Sequence, residues 1–127
     1  MIVLDASVLI AHLDQRDAHH ARATELLSTT GAEPLGASTI TLAEILVAPT
    51  RSDRLADVSV ALERLGVAEL RLGDDAPRRL ARLRVDSGCK LPDCCVLLAA
   101  EENAGVVASF DSALIEAADR LGISTLR

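Results

Sequence analysis

A chain of 127 residues with 50% hydrophobic and 25% charged positions holds enough apolar material for a core of its own, which excludes a disordered chain. Thirteen Lys and Arg against nineteen Asp and Glu leave a net charge of −6, and the aromatic content is one Phe with neither Tyr nor Trp. That balance excludes a protein that grips nucleic acid by overall basicity or on a row of stacking aromatics.

The chain opens on Ile2–Leu4, an apolar run read as a buried strand, and Asp5 separates it from Ser7–Leu13, read as a short helix. An ionised carboxylate at such a joint is costly to bury unless it caps the helix or meets a cation. A second helix is predicted from about Ala18 to Leu27, ending before Gly31, and a second strand over Leu35–Ala37. Ser38 or Thr39 is placed to cap a helix carrying Leu42, Ile45 and Leu46, which the segment APTRSD (48–53) is expected to break. Leu55, Val58, Leu62 and Leu65 recur at helical spacing up to Gly66.

Val67–Leu72 alternate as a third strand, and GDDAP (73–77) starts a helix with an acidic first turn and an early Pro. That helix carries Leu80 and Leu83 on one face and Arg78, Arg79, Arg82 and Arg84 on others, where a solvated face accounts for most of them. After the loop SGCKLPD (87–93), Pro92 opens a helix over Asp93–Asn103 that Gly105 terminates. Its run Cys94–Ala100 is the longest unbroken apolar stretch, far below the ~20 residues of a spanning helix, so no membrane segment is predicted. Val106–Ser109, Asp111–Leu121 and Ile123–Leu126 read as strand, helix and closing strand.

Such alternation predicts a single domain over residues 1–127, a three-layer α/β/α sandwich with a mainly parallel sheet. Ligands of such sheets bind beyond the carboxyl ends of the strands. Asp5 falls there. So does Asp111, two residues past the strand VVAS, while Asp93 opens a helix and Glu44 interrupts the apolar stretch TLAEIL. Taken singly, Asp93 and Asp111 read most simply as helix caps and Glu44 as a solvated position. Taken together, four carboxylates facing one cleft repel unless a cation intervenes, and an oxygen-only set suits Mg²⁺ or Mn²⁺. The chemistry this implies is metal-assisted hydrolysis of a phosphodiester.

The segments IVLDASVLIA, STITLAEIL, KLPDCCVLLAA and VVASFDSAL resemble the four conserved blocks of the PIN domain, and the length and span, about residue 2 to 126, resemble the VapC toxins of bacterial toxin–antitoxin pairs. The resemblance implies that Asp5, Glu44, Asp93 and Asp111 hold one or two Mg²⁺ or Mn²⁺ ions and cut single-stranded RNA. It places Ser7 at a small hydroxyl position near the metal and Ser109 where Thr is commoner, while Cys94 and Cys95 depart from the usual small or apolar residues. It also implies a homodimer and a cognate antitoxin, in a heterotetramer or larger assembly.

Lys90, the only lysine, precedes Asp93 by three residues, within reach of a phosphate or of the acids; an exposed loop residue is the simpler reading. Three clustered cysteines, Cys89, Cys94 and Cys95, fit reduced thiols and a cytoplasmic location rather than a disulfide framework. With His12, His19 and His20 they lack zinc-ligand spacing, and surface histidines and core thiols are expected. No glycine loop of the phosphate-cradling kind occurs. A phosphoryl-transfer domain of the receiver or haloacid-dehalogenase kind would carry paired acids after its first strand, whereas Ala6 and Ser7 follow Asp5. A metal-free PIN-like binding module remains the other alternative, against which the presence of all four acids argues.

Overall fold

The computed structural model describes residues 1–127. In chain order it contains β1 (Ile2–Leu4), α1 (Ala6–Leu13), α2 (His20–Thr29), β2 (Leu35–Ser38), α3 (Thr39–Arg51), α4 (Leu55–Leu65), β3 (Val67–Leu70), α5 (Ala76–Ser87), α6 (Leu91–Glu102), β4 (Val106–Ala108), α7 (Ser112–Arg120) and β5 (Thr125–Leu126). The five strands form one sheet in the order β3-β2-β1-β4-β5, and every pairing is parallel.

Period-two alternation along the strands separates the two cores that cover the sheet. Ile2 and Leu4 of β1, with Ala108 of β4, point into a cluster shared with Val8, Leu9, Ala23, Ile45 and Leu62 of α1 to α4. Val3 and Val107 point the other way, into a cluster with Leu83 of α5, Leu97 and Leu98 of α6 and Leu114 of α7. These are the two helical layers of an α/β/α sandwich. A strand buried on both faces needs no polar alternation, which is why Ile2–Leu4 is apolar throughout.

Chain order reverses at the centre of the sheet. β1, β2 and β3 step outward in one direction, and β4 and β5 then fill the other side of β1. The crevice beyond the ends of β1 and β4 is therefore a topological switch point, the usual ligand position in an open parallel sheet.

The predicted elements are all present, with shifted ends. Pro49 lies inside α3 rather than breaking it; the helix runs on to Arg51 and closes at Ser52, whose amide donates to the Ala48 carbonyl at 3.1 Å. Proline removes one amide donor but leaves its own carbonyl free, and the Arg54 N–H takes that carbonyl at 2.8 Å. β3 ends at Leu70, two residues early, because β2 offers partners only for Val67–Leu70. Gly36 of β2 lets Leu70 sit close, since a Cβ there would meet its Cδ1 at 2.7 Å. β5 is only Thr125–Leu126, with Gly122 in the left-handed region (φ +74°) closing α7 just ahead of it. α6 starts at Leu91 with Lys90 as its cap residue.

The histidines are only partly on the surface: His12 and His20 are half-buried, stacked with centroids 6.3 Å apart, and the His20 Nδ1 meets the Ala11 carbonyl at 2.8 Å. The cysteines are free and buried, as expected of core thiols. Two of the α5 arginines make definite contacts rather than facing solvent alone. Arg79 bridges to Glu101 and Glu102, and Arg84 donates to the Gly88 and Cys89 carbonyls at 2.8 and 2.9 Å. No helix is long and apolar enough to cross a membrane.

Candidate active site

Parallel register decides which residues meet at the switch point. Leu4 of β1 pairs with Ala108 of β4, so the next residues, Asp5 and Ser109, emerge side by side. Asp5 is 7% exposed and Ser109 fully buried. The Asp5 Oδ2 accepts hydroxyl hydrogen bonds from Ser7 at 2.6 Å and from Ser109 at 2.8 Å. It also receives the Ser7 amide at 3.4 Å, which makes Asp5 the N-cap of α1. Both hydroxyls have spent their proton on Asp5, and each in turn accepts an amide: Phe110 N–H to Ser7 at 3.0 Å and Asp111 N–H to Ser109 at 3.0 Å. The network fixes one carboxylate oxygen. The other, Oδ1, takes no hydrogen bond, and since no buried side-chain oxygen is left without a partner, Oδ1 is not fully enclosed.

The remaining acids arrive from three helices. Asp111 caps α7, its Oδ1 accepting Ala113 and Leu114 amides at 2.9 and 3.4 Å, which again leaves one oxygen uncommitted. Asp93 sits in the first turn of α6, half-buried, on the most enclosed helix of the molecule: Cys94–Ala100 are buried without interruption. Glu44 projects from the middle of α3 with no ion pair. A cleft of about 460 Å³ brings Glu44, Asp93 and Asp111 together with Lys90, and Asp5, held by Ser7 and Ser109, lies near enough for its charge to act on Glu44 and Asp93. Glu116 and Arg120 of α7 line it too. Sequence reasoning passed over both, although Ala113, Glu116 and Arg120 recur at the i, i+3, i+7 spacing of a single helix face.

The four acids sense one another. Burial pushes the Glu44 carboxyl above its ordinary range, and the Asp5 and Asp93 charges push it further. Burial likewise raises Asp93, with Asp5 and Asp111 adding to the shift while Lys90 partly opposes it. Protons held tightly by neighbouring carboxylates mark a shortage of positive charge. All the donors are carboxylate or hydroxyl oxygen, a set that fits a hard divalent ion. No three of the acids stand close enough to grip one ion directly.

A PIN-domain family model matches residues 2–120. No curated protein matches by sequence. Among solved structures, the chain is similar to VapC20 of Mycobacterium tuberculosis, a sarcin–ricin loop-cleaving toxin, with a TM-score of 0.77 at 18% identity over 100% of this chain and 99% of that one. It is similar to a chain of a toxin–antitoxin complex from Klebsiella pneumoniae, with a TM-score of 0.75 at 20% identity over 91% and 90%. FitAcB from Neisseria gonorrhoeae gives a TM-score of 0.74 at 19% identity over 100% and 97%.

Proposed function

This chain belongs to the PIN-domain family, and from that premise we propose that residues 1–127 are one Mg²⁺- or Mn²⁺-dependent endoribonuclease domain, the toxin of a type II toxin–antitoxin pair acting on single-stranded RNA. The observation that supports the reading is a cleft lined by Glu44, Asp93 and Asp111, with the Asp5 charge acting on the first two, where the acids outnumber the cations Lys90 and Arg120. Two relatives in fold support the biological setting: VapC20 is a sarcin–ricin loop-cleaving toxin, and the Klebsiella structure is a toxin–antitoxin complex.

In this reading the four acids hold one or two ions, directly or through water. A bound ion supplies positive charge to the phosphate and acidity to a water molecule. Asp5, clamped by Ser7 and Ser109, presents a fixed oxygen, and Asp93 and Asp111 present theirs from the rigid starts of α6 and α7. Water attacks phosphorus, the P–O3′ bond breaks, and the products are a 3′-hydroxyl and a 5′-phosphate. No side chain acts as nucleophile. Lys90, on the rim beside Asp93, is placed to meet a phosphate oxygen.

The partner in this reading is a cognate antitoxin in the cytoplasm, bound to a homodimer of this chain in a heterotetramer or larger assembly. Its inhibitory device would be a basic side chain that enters the cleft and supplies the charge the acids lack. Such a group competes with Mn²⁺. Replacing the inserted Arg or Lys in a co-purified complex should restore cleavage while the tail stays bound; continued full inhibition would point to occlusion of the RNA path instead.

The direct test is cleavage of single-stranded RNA with Mn²⁺, paired with titration calorimetry. Wild-type protein should bind Mn²⁺ and cut, and Asp93→Asn should do neither. Unchanged metal affinity in Asp5→Asn and Asp93→Asn would remove the proposed centre.

A further inference from the structure

The single aromatic residue of the carbocyclic kind, Phe110, stands between Ser109 and Asp111, and its amide is bonded to Ser7. It is half-buried against the α1–α4 core and does not line the cleft that Asp93 and Lys90 share. The Arg22 guanidinium of α2 lies over the ring, 4.6 Å from its centroid, and the His19 imidazole meets it at 5.4 Å with a tilt of 43°. His19 is held in turn by its amide, which donates to Asp17 Oδ1 at 2.8 Å.

Arg22 is exposed, and it takes part in none of the five ion pairs of the molecule. Glu25 lines the same surface depression, of about 370 Å³, yet does not pair with it. Arg127 lines that depression as well. Glu25 and the terminal carboxylate of Arg127 offset charge in the depression as a whole, so the cation that faces outward without an ion-pair partner is Arg22 on its ring. A guanidinium seated on a ring keeps its donors directed outward and loses less freedom when it meets an anion.

The acid cleft by itself repels a polyanion, and an ion there neutralises only the phosphate being cut. Neighbouring phosphates of the strand need cations of their own. The geometry points to Arg22, seated on Phe110 and flanked by His19, as a backbone-phosphate subsite for the RNA strand outside the cleft that Lys90 lines. This subsite rests on the ribonuclease reading and deepens it: Phe110, which seats Arg22, lies between Ser109 and Asp111.

The test uses full-length protein and a fluorescently labelled single-stranded RNA. Anisotropy is measured in EDTA, where nothing is cut, across a salt series, and cleavage kinetics are measured with Mn²⁺. Arg22→Ala should weaken binding roughly fivefold and reduce the slope of log affinity against log salt by about 0.7, the loss of one phosphate contact on a single strand. KM should rise with kcat nearly unchanged, because the contact is made before and during the reaction alike. Arg22→Lys should recover most of the affinity, and Phe110→Leu should show a smaller loss from an unseated arginine. Arg82→Ala, an exposed arginine of α5, is the control. If Arg22→Ala matches Arg82→Ala in slope and KM while wild-type protein cuts RNA, the subsite is wrong and the nuclease reading stands. If wild-type protein neither binds nor cuts RNA with Mn²⁺, the nuclease reading is wrong and the subsite goes with it.

Discussion

The two ends of α6 carry acids in opposite circumstances. At its carboxyl end Glu101 and Glu102 meet Arg79 of α5 at 3.0 and 3.1 Å, and the Gly73 amide adds a donor to Glu102 at 3.3 Å. At its amino end Asp93 shares a cleft with Glu44 and Asp111 and senses the Asp5 charge, with Lys90 the cation that acts on it and Arg120 further along the lining. One helix thus shows what the chain does with a carboxylate it wants neutralised and what it does with one it leaves in need. The arginine pair ties two helices together. Glu44 and Asp93 tie nothing together, and the repulsion raised by their neighbours works against folding until positive charge arrives.

The largest expected effect that breaks the contrast is on cleavage. Asp93→Asn should lower the cleavage rate by about 10²-fold or more, while Glu101→Gln at the other end of the same helix should leave it near wild type. Comparable losses at both ends, read in the same RNA assay, would mean that α6 matters only as a scaffold. Next in size is the support of Asp5. Ser7→Ala and Ser109→Ala each remove a hydroxyl donor from its Oδ2 and should weaken Mn²⁺ binding some 10–100-fold, the usual cost of losing a group that orients a metal ligand. Calorimetry showing wild-type affinity in the double variant would leave the clamp without a role at the metal.

The contrast then sharpens in stability, where the two ends should respond with opposite signs. Arg79→Ala should destabilise the metal-free protein by about 1 kcal/mol or less, since the pair is partly exposed. Glu44→Gln and Asp93→Asn should each raise the metal-free melting temperature while abolishing activity, the familiar exchange of function for stability. Asp5→Asn and Asp111→Asn should not, because both also cap helices. A fall in melting temperature for all four variants would recast the acids as structural partners.

The smallest effect is a pH dependence. Glu44 and Asp93 bind their protons more tightly in the folded chain than in the unfolded one. Their ionisation therefore costs stability at neutral pH, and the cost shrinks as pH falls through the raised folded values. It is gone below the ordinary values of 4.5 and 3.8, where both states are protonated. Melting curves in EDTA should show wild-type protein gaining on the Glu44→Gln/Asp93→Asn double variant as pH is lowered from 7 toward 5. A constant difference between the two proteins would show that these groups are not coupled to folding.

Much of this architecture is written in local signals. The doubly buried β1, the Ser38 cap of α3, the Gly66 end of α4 and the acids at the strand ends all follow from residue type and spacing. The serine clamp is not visible in spacing, because Ser7 and Ser109 are 102 residues apart and meet only through the β1–β4 register. The ends of α3, β3 and β5 were displaced by tertiary partners: a carbonyl accepted from beyond Pro49, and strand lengths set by the neighbour available. Composition misled most at Phe110. One aromatic ring excludes a stacking platform, but a single ring suffices to seat one arginine, and its proximity to Arg22 depends on how α2 packs against the end of β4.

The caps of α1 and α7 have a consequence for how such a protein would decay. In the proposed nuclease, Asp5 and Asp111 would serve the fold and the chemistry with different oxygens of the same carboxylate, whereas Glu44 and Asp93 would serve the chemistry at the expense of the fold. In a lineage released from selection for cleavage, drift would not erase the four acids evenly. Glu44 and Asp93 would go first, each loss making the chain sturdier, and Asp5 and Asp111 would linger as relics of the abandoned site. A descendant that keeps only those two acids would be a retired enzyme, preserved at the two positions where catalysis and folding had shared a residue.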